Sequence, residues 1–322
     1  MPPKYRVWLA LVTVYVVWGS TYLGIRYAIG ADTGQQGLPP LLMAAARFLI
    51  AGAVLFTWAV RRPAADGDPD PLRRPQWVAC GIVGVLLLLG GNGLVTLAEE
   101  KVASGISAVI IALVPIWVAV LGLAFRTDRL PRIGVAGLGI GFAGAFVLAN
   151  PTGAGHLAPG GVALLIVATL CWSSGSYYGR SAPVPRRPLV MTGMEMLCGG
   201  TAMLLVSVAT GDAFDLDLGN VGWKAWVAFG YLVVFGSMGA FTAYVWLLRN
   251  ARLSLVTTYA YVNPAVAVLL GALIAGERLT ARAMIASALI LLGVGLVVSS
   301  REPAETAEEP GPAVGPLVEV TE

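Results

Sequence analysis

Residues 102–125 read VASGISAVIIALVPIWVAVLGLAF, a run without a single Asp, Glu, Lys, Arg or His. A helix crosses the hydrocarbon of a bilayer in about 20 apolar residues, so this stretch is long enough to span and too apolar to face water. Residues 253–275, LSLVTTYAYVNPAVAVLLGALIA, repeat its character 149 positions later, with Pro264 answering Pro115 and Gly271 answering Gly122. A short charged turn follows each copy, Asp128-Arg129-Leu130 and Glu277-Arg278-Leu279, and then another apolar run in which Gly144 matches Gly293. The chain is written twice.

Working outward, six more uncharged stretches lie at 7–25, 77–97, 133–149, 161–179, 226–248 and 283–300. Two others, 41–60 and 189–210, are broken by one charge each, Arg47 and Glu195. The chain has 322 residues, 57% hydrophobic and 12% charged, where a soluble domain carries about 25% charged residues. A water-soluble globule is excluded, and ten spans leave too little chain for a folded domain outside the membrane. The repeat extends upstream: Trp18-Gly19-Ser20 with Arg26 matches Trp172-Ser173-Ser174 with Arg180. Met43, Arg47, Leu49 and Gly52 match Met191, Glu195, Leu197 and Gly200. The expected fold is all-α and integral to the membrane, with ten transmembrane helices in two five-helix repeats, 1–150 and 151–300. An odd number of helices per repeat inverts the second half. Residues 301–322, rich in Glu, Pro and Gly, are expected to be a disordered cytoplasmic tail.

Lys and Arg in short loops stay in the cytoplasm. With the N-terminus inside, fifteen fall on the cytoplasmic side, among them Lys4, Arg6, Arg61, Arg62, Arg129, Arg187 and Arg249. Only Lys101, Lys224, Arg278 and Arg282 fall outside. Both termini are therefore expected in the cytoplasm of a multi-pass protein of the cell (inner) membrane. The first apolar run is longer than a signal-peptide core and nine more follow it, which disfavours a cleaved leader. Cys80, Cys171 and Cys198 lie inside spans without CxxC spacing, and His156 is alone in a loop, so neither a disulfide framework nor a metal or other cofactor site is indicated. The glycines at 137, 139, 141 and 144 suit close helix packing within the protomer. Without a strand before them they support neither a nucleotide site nor a nucleic-acid partner.

Polar groups in lipid face the bundle interior or a water-filled cavity. Helical spacing puts Tyr15, Trp18, Tyr22 and Arg26 on one stripe of the first helix, and Thr169, Ser173, Ser176 and Arg180 on the matching stripe of the sixth, with Trp172 beside it. Asn92 and Thr96 share a face of the third helix, Ser104, Ser107 and Pro115 of the fourth. Ser237, Phe241 and Tyr244 do so in the eighth, and Thr257, Tyr261 and Pro264 in the ninth. These six helices are expected to enclose a substrate cavity lined by Trp18, Tyr22, Asn92, Thr96, Ser107, Trp172, Ser173, Ser176, Tyr244, Thr257 and Tyr261. The plainer reading of the hydroxyls is a bond to their own backbone. Pro115 and Pro264 each remove a helix hydrogen bond and are candidate bending points. Arg47 and Glu195 are repeat partners entering from opposite sides, so Arg47 is expected near Glu99 or Glu100, and Glu195 near Arg180, Arg186 or Arg187. Each is either a register-fixing charge or a gating or proton-coupling group.

The segments Trp18-Gly19-Ser20-Thr21-Tyr22-Leu23-Gly24-Ile25-Arg26, Pro39-Pro40, Ala45-Ala46-Arg47-Phe48, Gly91-Asn92-Gly93, Tyr259-Ala260-Tyr261-Val262-Asn263-Pro264 and Gly276-Glu277-Arg278-Leu279 together resemble the EamA transporters of the drug/metabolite transporter superfamily, in its YedA-like branch. The resemblance covers about residues 7 to 300 and departs at Thr127-Asp128-Arg129-Leu130, where the turn glycine is missing. It implies ten helices and transport, with export as the family habit and no particular cargo. Inverted repeats independently suit alternating access. The expectation is a secondary transporter, not an enzyme, exporting a small organic metabolite or amino acid, with proton coupling through Glu195 if protons drive it. An integral-membrane enzyme acting on a lipid-like substrate would need clustered acids or histidines that the spans lack. A non-transporting scaffold would show a sealed apolar core. The sequence leaves oligomeric state open.

Overall fold

Helices are what an uncharged run must form in lipid, because only a helix satisfies every backbone N–H and C=O within its own segment. The computed structural model describes residues 4–30, 34–62, 72–99, 110–125, 131–149, 159–263, 265–266 and 281–300. Within them the regular structure is helical, apart from one bridge between Gln36 and Val221 that ties two loops together. In order the helices are α1 Lys4–Ala28, α2 Pro40–Arg61, α3 Arg74–Ala98, α4 Val114–Ala124, α5 Arg132–Ala149, α6 Pro159–Ser181, α7 Pro188–Thr210 and α8 Trp223–Asn250. They end with α9, which is Leu253–Val256 continued after a turn by 259–263, and α10 Ala281–Ser299. Six of them, α1, α2, α3, α6, α7 and α8, are long and apolar enough to cross a membrane, and α4, α5 and α10 hold shorter apolar stretches. Large apolar side chains such as Leu9, Val135, Leu205 and Leu291 stand more than half exposed on the outer faces, where lipid replaces water. The expected turns at 127–130 and 276–279 and the tail at 301–322 lie outside the described residues.

The two halves pack by exchanging equivalent partners. α2 lies against α7, and α5 against α10; α1 packs on α8, just as α6 packs on α3. Glycines set the closest approaches. A Cβ on Gly52 would come 3.0 Å from the backbone nitrogen of Leu197, and a Cβ on Gly200 would come 3.1 Å from that of Leu49. Moving forward along α2 therefore means moving backward along α7, so the two helices run antiparallel. In the other pair, a Cβ on Gly144 would meet the Ile290 nitrogen at 2.9 Å and one on Gly293 the Gly141 nitrogen at 2.5 Å. Gly137 and Gly141 are likewise spent inside the protomer, against α10 and Tyr261, whereas a Cβ on Gly139 would meet nothing.

The flanks of α7 hold both ends of α2. The Asp212 carboxylate, just after α7, accepts the Leu42 N–H at 2.8 Å and the Ser207 hydroxyl at 2.7 Å. An acid is favourable at this helix start, where N–H groups lack intrahelical partners. At the other end Arg187 donates to the carbonyls of Ala59 and Arg62, as cations favour helix C-termini.

Four of the described helices depart from ideal form, α4 by a turn at Ala112 and Leu113 just before it. α3 and α8 each contain a π-helical segment, Val85–Gly93 and Leu232–Phe241. They sit at repeat-equivalent places and were not foreseen. α9 is interrupted at Thr257 and Thr258, where Thr258, Ala260 and Tyr261 bond three residues back instead of four.

A candidate substrate cavity between the two halves

Trp18 and Trp172 are equivalent residues of α1 and α6, and each lies against a π segment of the opposite half. The Trp18 Nε1–H donates to the Gly236 carbonyl in α8 at 3.2 Å. A Cβ on Gly91 in α3 would fall 2.5 Å from the Trp172 ring, so glycine is what lets that ring approach. The two indoles meet edge to face, with centroids 5.5 Å apart. Tyr244, Tyr259 and Phe241 complete an aromatic cluster around them, with Tyr244 and Tyr259 each 5.0 Å from Trp18.

Above this cluster opens a half-enclosed cavity holding about 670 Å³ of atom-free space, some of it continuous with solvent. Its wall takes Trp18 and Tyr22 from α1, Arg47 from α2, Asn92 from α3, Trp172 from α6, Phe241 from α8 and Tyr259 and Asn263 from α9. Both halves contribute. With its amide oriented so that nitrogen donates to the carbonyls of Tyr259 at 3.0 Å and Tyr15 at 3.2 Å, an assignment made from hydrogen bonding, Asn263 ties α9 to α1. The Tyr15 hydroxyl, 2.5 Å from the Thr258 hydroxyl, makes a second tie at the interruption of α9.

Of the residues expected from the sequence, Trp18, Tyr22, Asn92, Trp172 and Arg47 come together on this wall. The others take different places. Thr96 donates to the Asn92 carbonyl, Ser173 to that of Thr169 and Thr257 to that of Ser254, each within its own helix, and Ser173 also lies 3.4 Å from the Val114 carbonyl of α4. Ser176 and Tyr244 form a support behind the cavity: the Tyr244 hydroxyl is 2.6 Å from Ser176 Oγ and accepts the Trp172 Nε1–H at 2.9 Å. Tyr261 faces the other way, donating to the Leu138 carbonyl of α5 at 3.3 Å. Pro115 stands in the first turn of α4, after a break at Ala112 and Leu113. Ser107 and Pro264 lie outside the described residues.

The two charges inside spans sit apart, as their opposite depths required, but with unexpected neighbours. Arg47, 4% exposed, donates from Nε to Ser237 Oγ at 2.6 Å and stacks its guanidinium over Phe48 at 4.6 Å. The side chains of Glu99 and Glu100 lie outside the described residues. Glu195, 2% exposed, leaves Oε2 without a hydrogen-bond partner among the described residues. The cation whose charge reaches it is Arg249 of α8, rather than one of the three expected arginines. Arg249 is held by the Pro185 carbonyl at 2.8 Å and by the sulfur of Met191, one turn before Glu195. Tyr259, Asn263 and Thr21 are wall residues that the sequence reading did not select. The four-residue spacing of Tyr259 and Asn263 was the available signal.

Comparison with known proteins agrees with this architecture. The model of the EamA-like transporter family matches residues 6–150 and again 159–299. The inner membrane transporter YedA of Escherichia coli (strain K12), itself described as uncharacterized, is 38% identical over 293 residues, covering 89% of each chain. An uncharacterized transporter of Archaeoglobus fulgidus is 26% identical, covering 92% of this chain and all of its own. A probable terminal-alkyne amino-acid exporter of Streptantibioticus cattleyicolor is 27% identical over 90% of this chain and 92% of its own. One solved crystal structure superimposes with a TM-score of 0.72 at 22% identity, covering 91% of this chain and 96% of that one, a likeness of fold.

Proposed function

The chain belongs to the EamA-like transporter family, and from that premise we propose that it is a secondary carrier exporting a small organic metabolite or amino acid by alternating access. The observation that carries the reading is the cavity built where Trp18 and Trp172 meet, since a carrier of two inverted repeats holds its cargo at the repeat interface near the midplane. The antiparallel packing of α2 on α7 and α5 on α10 supports inversion. Interrupted or π-helical segments in α3, α4, α8 and α9 supply the irregular backbone that such sites use. A scaffold would have no use for a recess at this place with Arg47, Asn92 and Asn263 in its wall.

The positive-inside bias assigns both termini to the cytoplasm. On that orientation the lining includes Ile25 and Val95, toward the outer ends of α1 and α3, which supports an outward-facing reading of this conformation. Export from such a carrier ends with release from this state. The name of the Streptantibioticus relative favours amino-acid cargo.

The test is counterflow in proteoliposomes carrying the purified protein, screened with pooled labelled amino acids and organic acids. Saturable, trans-stimulated flux is the expected result. Verified, folded protein that moves no pool would favour the scaffold.

A further inference from the structure

Arg47 is the one charged residue on the cavity wall among the described residues, and it is 96% shielded without an acidic partner among them. Its Nε is satisfied by Ser237 and its flat face by Phe48, which fixes the side chain in one orientation. Nη1 and Nη2 have no protein acceptor among the described residues. Gly236 makes room for them: a Cβ there would lie 3.2 Å from Nη2. The same residue's carbonyl takes the Trp18 N–H, so the π segment of α8 positions the guanidinium and the indole together.

A charge this deep in a span is costly unless something compensates it. A guanidinium offers paired donors whose geometry matches a carboxylate. With one cation and no acid on the described wall, the field inside favours an anion and disfavours a cation. The rest of the described wall is uncharged: the rings of Trp18, Trp172, Phe241 and Tyr259 suit an apolar body, and the polar groups beside them, such as Thr21, Asn92 and Asn263, are neutral.

The geometry points to an organic carboxylate with an apolar body as the cargo, its carboxylate held by the free edge of Arg47 and its body seated on the Trp18–Trp172 pair. This deepens the carrier reading and rests on it. It also gives Arg47 a task distinct from gating: the substrate brings a counter-charge that the described wall does not supply.

The test uses three probes that share a branched aliphatic body: L-leucine, 4-methylpentanoate and 3-methylbutylamine, which lacks the carboxylate. Titration of the full-length protein in nanodiscs follows tryptophan emission, since Trp18 and Trp172 line the site. Saturable quenching by at least one of the two carboxylates, with the amine at least tenfold weaker, is the expected result. Arg47→Gln should weaken carboxylate binding at least tenfold, and Arg47→Lys should restore part of it. Because Arg47→Gln could disturb folding, the wild-type comparison of carboxylate with amine stands by itself. Equal binding of the amine, no binding by either carboxylate, or undiminished carboxylate binding by folded Arg47→Gln would each overturn the assignment. Counterflow separates the two readings. Flux of an uncharged or cationic solute that survives Arg47→Gln keeps the carrier and removes the carboxylate, whereas absence of flux from every pool removes the carrier.

Discussion

Trp18 and Trp172 touch edge to face at 5.5 Å, yet they spend their indole N–H groups differently, Trp18 on the Gly236 carbonyl and Trp172 on the Tyr244 hydroxyl. Equivalent residues of two equivalent halves are thus in unequal surroundings. Two repeats with unequal conformations can exchange them, and that exchange is alternating access in its simplest form.

Trp18→Phe tests whether this asymmetry holds the present conformation, which the proposed orientation reads as outward-facing. The substitution removes one buried hydrogen bond particular to this arrangement, worth about 1 kcal/mol, which corresponds to a roughly fivefold shift in a two-state population. The probe is Ile25→Cys on the cavity wall, in a background where Cys80, Cys171 and Cys198 are replaced. Labelling by an impermeant thiol reagent from outside should slow severalfold in the Trp18→Phe protein. Unchanged labelling would mean that the Gly236 bond is shared by both states.

The spans were legible because an uncharged run of this length has one stable form in lipid, and the antiparallel fit of Gly52 and Gly200 against α7 and α2 follows from the repeat. The cavity was legible only in part. Helical spacing along α9 assumed an unbroken helix, which selected Tyr261. The interruption at Thr257 and Thr258 turns Tyr261 toward α5 and brings Tyr259 and Asn263 to the wall instead. The π segments of α3 and α8 advance the register within those helices in the same way, which helps explain why Asn92 reaches the cavity while Thr96 bonds its own backbone. No residue pattern marks such a segment in advance. Arg47 was visible as a charge in a span, but its orientation depends on Ser237 and Gly236, far away in sequence.

The glycine contacts of α5 and α10 predict a stability difference within one helix. Gly144→Val and Gly293→Val force a Cβ into backbone at 2.9 and 2.5 Å, and overpacking of this kind costs about 1–3 kcal/mol or more. Gly139→Ala and Gly295→Ala meet nothing. Thermal unfolding in detergent should separate the two valine variants, markedly less stable, from the two alanine variants, near wild type. Comparable losses at all four positions would show that helix propensity, not the contact, decides.

Alanine variants of Pro115 and Pro264 test whether these prolines bear on turnover. Pro115→Ala returns an N–H at the start of α4, next to the break at Ala112 and Leu113, and should stiffen a segment that must bend if α4 moves between states. Counterflow at saturating substrate should fall several times more than affinity does, and Pro264→Ala should behave alike. A parallel loss of binding and rate would assign both prolines to packing.

Glu195 remains, a buried carboxylate with Oε2 unpartnered among the described residues. Arg249 reaches it from α8, Cys80 lies within its electrostatic reach on α3, and Cys198 does so on α7. An ionisable group at this depth is a functional candidate by its position, and movement of Arg249 toward it or away from it changes the charge that it faces. If that movement is the exchange between outward and inward states, a proton gradient drives transport through this group. Glu195→Gln mimics the protonated form and removes the choice. Counterflow, which needs only exchange, should persist within a few-fold of wild type, while net flux should lose its response to an imposed pH difference. A variant that keeps the wild-type pH response would exclude Glu195 as the coupling group and leave it as the partner that holds Arg249 in register.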